Sequence, residues 1–104
     1  MAAAGSAYDK RVAARDEVHY RTRGTAAGGR IVDLLIVNLS AQGLMARSEA
    51  QLAVGERLII TLPVIGMVTA ELRWSLGGRI GCELDRPIEL ASYYDLLSVL
   101  VRGR

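Results

Sequence analysis

Residues 68–84 read VTAELRWSLGGRIGCEL. Apolar and polar side chains alternate on both sides of the pair Gly77-Gly78. Val68, Ala70, Leu72 and Trp74 fall on one face of the first half; Ile80, Cys82 and Leu84 fall on one face of the second. A period of two marks a strand that buries one face. Two adjacent glycines accept the positive φ that a tight hairpin turn demands. The stretch is therefore predicted to form an antiparallel hairpin with Trp74 pointing inward.

The same signals extend upstream. Arg57 to Leu62 reads as a strand closed by Pro63, with Ile65-Gly66-Met67 turning it into the hairpin's first strand. Leu44 to Ala46 reads as a short strand and Ser48 to Gly55 as a returning loop. Arg30 to Leu39 carries Ile31, Val32, Leu34, Leu35, Ile36 and Val37, an almost continuous β-branched run with turn residues at both flanks. A strand is favoured there over a helix, and Leu35 reads as core. Asn38 to Gly43 forms a turn and residues 24–29 a glycine-rich loop. From Glu17, alternation places Val18, Tyr20 and Thr22 on one face.

Downstream of Asp85-Arg86-Pro87 the period changes to that of a helix. Leu90, Tyr93, Tyr94, Leu97 and Val101 recur at helical spacing over residues 88–101, with Pro87 suited to the first turn. Arg102 and Arg104 suit the negative pole of the helix dipole. The fold class that follows is all-β: a six-stranded antiparallel barrel with a C-terminal α-helix. Closure disposes of exposed strand edges. Residues 1–9 read as a flexible tail, 10–16 as a charged arm, 17–86 as the barrel and 87–102 as the helix covering one opening.

Composition narrows the function. The chain has 104 residues, 51% hydrophobic and 23% charged, which suits one globular domain. A net charge of +2 is too small for a protein that coats polyanions. Lys10 is the only lysine; the other twelve basic residues are arginines, whose planar fork matches phosphate and the guanine edge. Cys82 is the only cysteine and His19 the only histidine, so neither an intrachain disulfide nor a zinc site is expected. No glycine-rich P-loop or hydrolase elbow occurs, and no apolar run approaches the roughly 18 residues that span a bilayer. With no Phe and only four Tyr and one Trp, a platform for single-stranded nucleic acid is disfavoured. The first residues lack the apolar core of a secretory signal, and a cytoplasmic location is expected.

Two short patterns carry the chemistry. Arg11-Val12-Ala13-Ala14-Arg15 is an Arg-x-x-x-Arg; Asn38-Leu39-Ser40-Ala41-Gln42-Gly43 is an Asn-x-Ser-x-x-Gly. Alone, the first also fits a solvated charged arm. The second also fits a strand-end turn with Gly43 at positive φ. Asn38 and Ser40 alternate, which would point both to one face of the barrel. In this order, before the first strand and after the second, the two patterns resemble those of the PilZ domain family. The resemblance extends through Gly55 to Pro63, Ala70 to Trp74 and Gly78 to Leu84.

That resemblance implies a non-catalytic module that binds cyclic di-GMP through Arg11, Arg15, Asn38, Ser40 and Gly43, with no metal and no further cofactor. It implies a ligand-driven switch in which the arm closes on the barrel and regulates an effector protein, with motility or exopolysaccharide production as outputs. A degenerate adaptor that acts through protein contacts without nucleotide is the alternative. No DNA or RNA partner and no membrane insertion are expected, and the protein is read as a monomer or weak dimer. Lys10, just before the motif, resembles basic residues that accompany a stacked pair of ligand molecules in the family.

Overall fold

The alternation read from the sequence becomes a closed sheet in the computed structural model, which describes residues 15–102. Six antiparallel strands form: β1 (Asp16–Thr25), β2 (Ile31–Leu39), β3 (Gly43–Arg47), β4 (Arg57–Leu62), β5 (Gly66–Leu76) and β6 (Arg79–Leu84). A short 3-10 turn at Ala27–Gly29 joins β1 to β2, and one α-helix, α1 (Leu90–Arg102), ends the described chain. Around the barrel the strands run β1-β2-β3-β6-β5-β4, and β4 closes on β1 through Gly24 opposite Ile60 and Thr25 opposite Ile59. The tail and most of the arm lie outside the described residues. Asp16, read as arm, is the first residue of β1.

One residue in two fills the interior. Val32, Leu34 and Ile36 of β2, Leu44 and Ala46 of β3, Leu58, Ile60 and Leu62 of β4, Ala70 and Leu72 of β5, and Ile80, Cys82 and Leu84 of β6 form one buried cluster. Leu35 is not in it. It stands half-buried on the outer surface between Arg21 and Arg47, because even a nearly continuous apolar run still alternates faces. Outside the barrel, Glu56 binds the loops together: its carboxylate accepts the Ala53 amide at 3.1 Å and the Arg30 guanidinium at 2.8 Å. Arg57 pairs with Asp85 across the strand ends.

Two other readings are corrected. Trp74 does not point inward. A bulge between Leu72 and Trp74 adds a residue to β5, so that Leu72 faces Cys82 but Trp74 faces Gly81. Ser75 takes the position opposite Ile80 but is exposed near the strand end, and Trp74 is 41% exposed. An extra residue of this kind turns every later side chain over.

The helix is also phased differently from its sequence reading. It buries Tyr93, Leu96 and Leu100, while Leu90, Tyr94 and Val101 are exposed. Apolar residues lie on nearly all sides of α1, so spacing alone cannot choose the buried stripe. Pro87 precedes the helix rather than opening it. Leu96 and Leu100 join the barrel's core. They cover the end where β1 begins and β2 ends, to which Tyr93 is bonded.

Ile36 is fully buried and Leu35 is not. Ile36→Ala is expected to cost about 2–5 kcal/mol, and Leu35→Ala well under half as much. Urea unfolding of the two variants checks the difference; equal losses would refute the assigned phase of β2.

Candidate functional site

The turn between β2 and β3 is built by Ser40. Its hydroxyl oxygen accepts the backbone amides of Gln42 at 3.1 Å and Gly43 at 3.2 Å, and its own amide donates to Gly43 O at 2.8 Å. Ser40 is buried, with 2% exposure. Its side chain is turned into its own loop, not outward beside Asn38. The expected shared face is therefore not formed: Ser40 shapes the rim and Asn38 presents a side chain on it.

Gly43 serves a different purpose from the one the turn pattern suggests. Its φ is not positive. A Cβ there would stand 2.4 Å from the carbonyl oxygen of Cys82, so β3 could not lie as it does against β6. The left-handed expectation does not hold; the position needs a glycine because of the neighbouring strand.

Arg15 reaches this rim. Its Nη1 donates to Asn38 Oδ1 at 2.8 Å, which uses one of five guanidinium N–H groups; it forms no other hydrogen bond among the described residues. The Asn38 amide nitrogen lies 3.9 Å from Met45 Sδ, a weak contact. Arg11 lies outside the described residues, as does Lys10.

Beside Arg15 opens a cavity of about 220 Å³ lined by Ser40, Gln42, Gly43, Leu44, Arg73, Trp74, Gly81, Cys82 and Glu83. Trp74 forms one wall, its indole lying over Gly81, where a Cβ would come 2.1 Å from Nε1. Arg73 Nη1 donates to Glu83 Oε1 at 2.7 Å, which offsets the one carboxylate on the cavity wall. Sequence reasoning missed Trp74 because it carried strand alternation through the bulge. The available signal was Gly81, an isolated strand glycine, which marks close approach of another group.

The site has the makings of a recognition surface: guanidinium donors, an indole face and a polar rim. Burial pushes the Cys82 thiol up to about 12, so it stays protonated at neutral pH and is no nucleophile. Among the described residues no group of three or more His, Cys, Asp or Glu side chains could hold a metal ion, and no helix is long and apolar enough to cross a membrane.

The helix is tied to the base of this site. Tyr93 Oη lies 2.6 Å from Asp16 Oδ2 and 2.9 Å from Leu39 O, two acceptors sharing its one proton. Asp16 follows Arg15 and Leu39 follows Asn38. Burial, and then the Asp16 carboxylate, raise the Tyr93 phenol above its ordinary range.

A family model described as PilZ domain matches residues 9–102. A comparison with curated proteins found no match.

Tyr93→Phe removes the clasp's only proton and is expected to cost about 1.5–3 kcal/mol at neutral pH. The raised phenol means the folded state keeps a proton that the unfolded chain releases. That stability is complete below the ordinary tyrosine range and is lost progressively as pH rises from about 10 toward the raised value of the folded state. Cys82 contributes in the same direction once pH exceeds its ordinary 9.0. Denaturant unfolding at about pH 8 and about pH 10.5 should show a smaller alkaline loss in Tyr93→Phe than in the parent. An identical loss would refute the clasp.

Proposed function

The chain belongs to the PilZ domain family, and on that premise we propose that it is a cyclic di-GMP receptor that regulates a partner protein. The observation that carries this reading is the Arg15 guanidinium held on Asn38 at 2.8 Å beside the cavity walled by Trp74. Cyclic di-GMP offers two phosphates and two guanines. A guanidinium can bond a phosphate or the guanine O6/N7 edge in pairs, and can also stack on the base.

Arg15 and Arg11, four residues apart, would grip different parts of the ligand. Asn38 orients Arg15 and supplies an amide to the rim; Ser40 and Gly43 hold the rim's shape. Trp74 adds a flat face against which a guanine can stack, a contact typically worth about 1–3 kcal/mol. Glu83 would repel the phosphates if free, and its bond to Arg73 removes that obstacle. Binding would be sensed by the segment that precedes Asp16, whose closing on the barrel would alter the surface offered to an effector. Such a shift requires the ligand to prefer one arrangement over the other. On this reading the protein is a binding module of the bacterial cytoplasm and catalyses nothing.

Calorimetric titration with cyclic di-GMP, with GTP and cyclic GMP as controls, tests the reading and returns the stoichiometry. Arg15→Ala is expected to weaken binding about ten- to a hundredfold with little change in thermal stability. Trp74 is the sole tryptophan, so its emission should change on binding. No heat and no change in emission would overturn the receptor reading and leave an adaptor that works through protein contacts alone.

A further inference from the structure

A second feature lies on the outer surface, away from the cavity. Cross-strand register lines up Arg21 of β1, Leu35 of β2, Arg47 of β3, Arg79 of β6 and Leu76 of β5, each opposite the next. The three arginines and Leu76 are exposed and Leu35 is half-buried. The row crosses five strands of the closed barrel and so follows a curved path of roughly 20 Å around it.

These arginines are not neutralised by the described residues. The ion pairs formed there are Arg23–Asp33, Arg30–Glu56, Arg57–Asp85 and Arg73–Glu83, none of which uses Arg21, Arg47 or Arg79. Two carboxylates border the row. Asp33 lies 3.6 Å from Arg23, and Glu49 is exposed on the loop after β3. Arg47 and Arg79 stand directly opposite each other, an arrangement that destabilises a sheet and that an incoming anion would relieve. A cleft of about 740 Å³ runs beside Arg21 and Arg47, lined also by Leu35, by Asp33 and Glu49, and by the Gly77-Gly78 turn.

The side chains between the arginines decide what kind of anion fits. They are aliphatic: Leu35 lies between Arg21 and Arg47, Leu76 follows Arg79 at the end of the row, and Ile31, 59% exposed, stands farther along β2. Nucleic-acid platforms interleave their cations with aromatic rings on which bases stack, and this row has none. Carboxylates flanked by aliphatic side chains match both the charge of the arginines and the leucines beside them, Leu35 and Leu76. We propose that the Arg21–Arg47–Arg79 row is a docking surface for an acidic, aliphatic-bearing segment of a partner protein.

Arg47 lies four residues from Gly43 on the same strand, roughly 13 Å away. The surface can therefore be occupied while the cavity holds a ligand, and the inference does not depend on nucleotide binding.

A fluorescent twelve-residue peptide alternating Glu and Leu is the probe, read by polarisation against the full chain. Binding is expected to fall as ionic strength rises and to weaken at least about tenfold in the Arg47→Gln/Arg79→Gln double variant. The melting temperature of that variant should hold or rise by about 1–4 °C as the like-charge contact is removed, and its cyclic di-GMP titration should match the parent's. Equal peptide binding by parent and variant overturns the proposal, as does a lowered melting temperature, which would make the two arginines structural. Tighter binding of a twelve-nucleotide single strand than of the peptide overturns it in favour of nucleic acid.

Discussion

A Cβ at Gly43 would stand 2.4 Å from the carbonyl oxygen of Cys82, so β3 can run against β6 at the rim only because that position carries no side chain. The rest of the site hangs on this contact. It sets Gly43 opposite Glu83 and Met45 opposite Gly81, and it lets the Leu84 amide reach Gln42 O at 2.9 Å. Two glycines on neighbouring strands thus leave a strip of bare backbone on the outer surface. Trp74 lies over the Gly81 half of that strip and walls the cavity. Gly43 itself is buried but brings no side chain to the cavity wall, and Arg15 lines the cavity beside it. The cavity exists where side chains are missing, and the bulge in β5 decides which large side chain borders it.

The same rim is joined to the helix. Tyr93 holds Asp16 and the Leu39 carbonyl with one hydroxyl, and those residues directly follow Arg15 and Asn38. A hydrogen bond to a charged group is worth about 1.5–3 kcal/mol, enough to bind the start of β1 to α1 against fraying. Any force a ligand exerts on Arg15 is applied next to this clasp. The helix is therefore joined to the rim by this bond, and its residues Tyr94 and Val101 are exposed.

Much of the architecture was legible because the barrel obeys local rules. Gly77 and Gly78 both adopt the positive φ that their pairing announces, and the strands fall where alternation and turn residues put them. Leu35 and Trp74 were misplaced for related reasons. In an apolar run, periodicity does not say which phase faces in; in an alternating run, a bulge reverses the phase without changing composition. In α1, apolar residues at Leu90, Tyr94, Leu97 and Val101 compete with those at Tyr93, Leu96 and Leu100 for the same buried role.

What the sequence determined by itself was the set of elements, their order and the two motifs, because period, turn chemistry and residue spacing are properties of short segments. What only the tertiary structure decided was which atoms meet. Arg15 bonds Asn38 across 23 positions of chain. Ser40 turns inward to its own loop, Gly43 is needed for a neighbour's carbonyl and not for its own φ, and Trp74 joins the rim. Each outcome depends on how one strand lies against another, and that relation is set by bulges and close approaches between segments far apart in the chain.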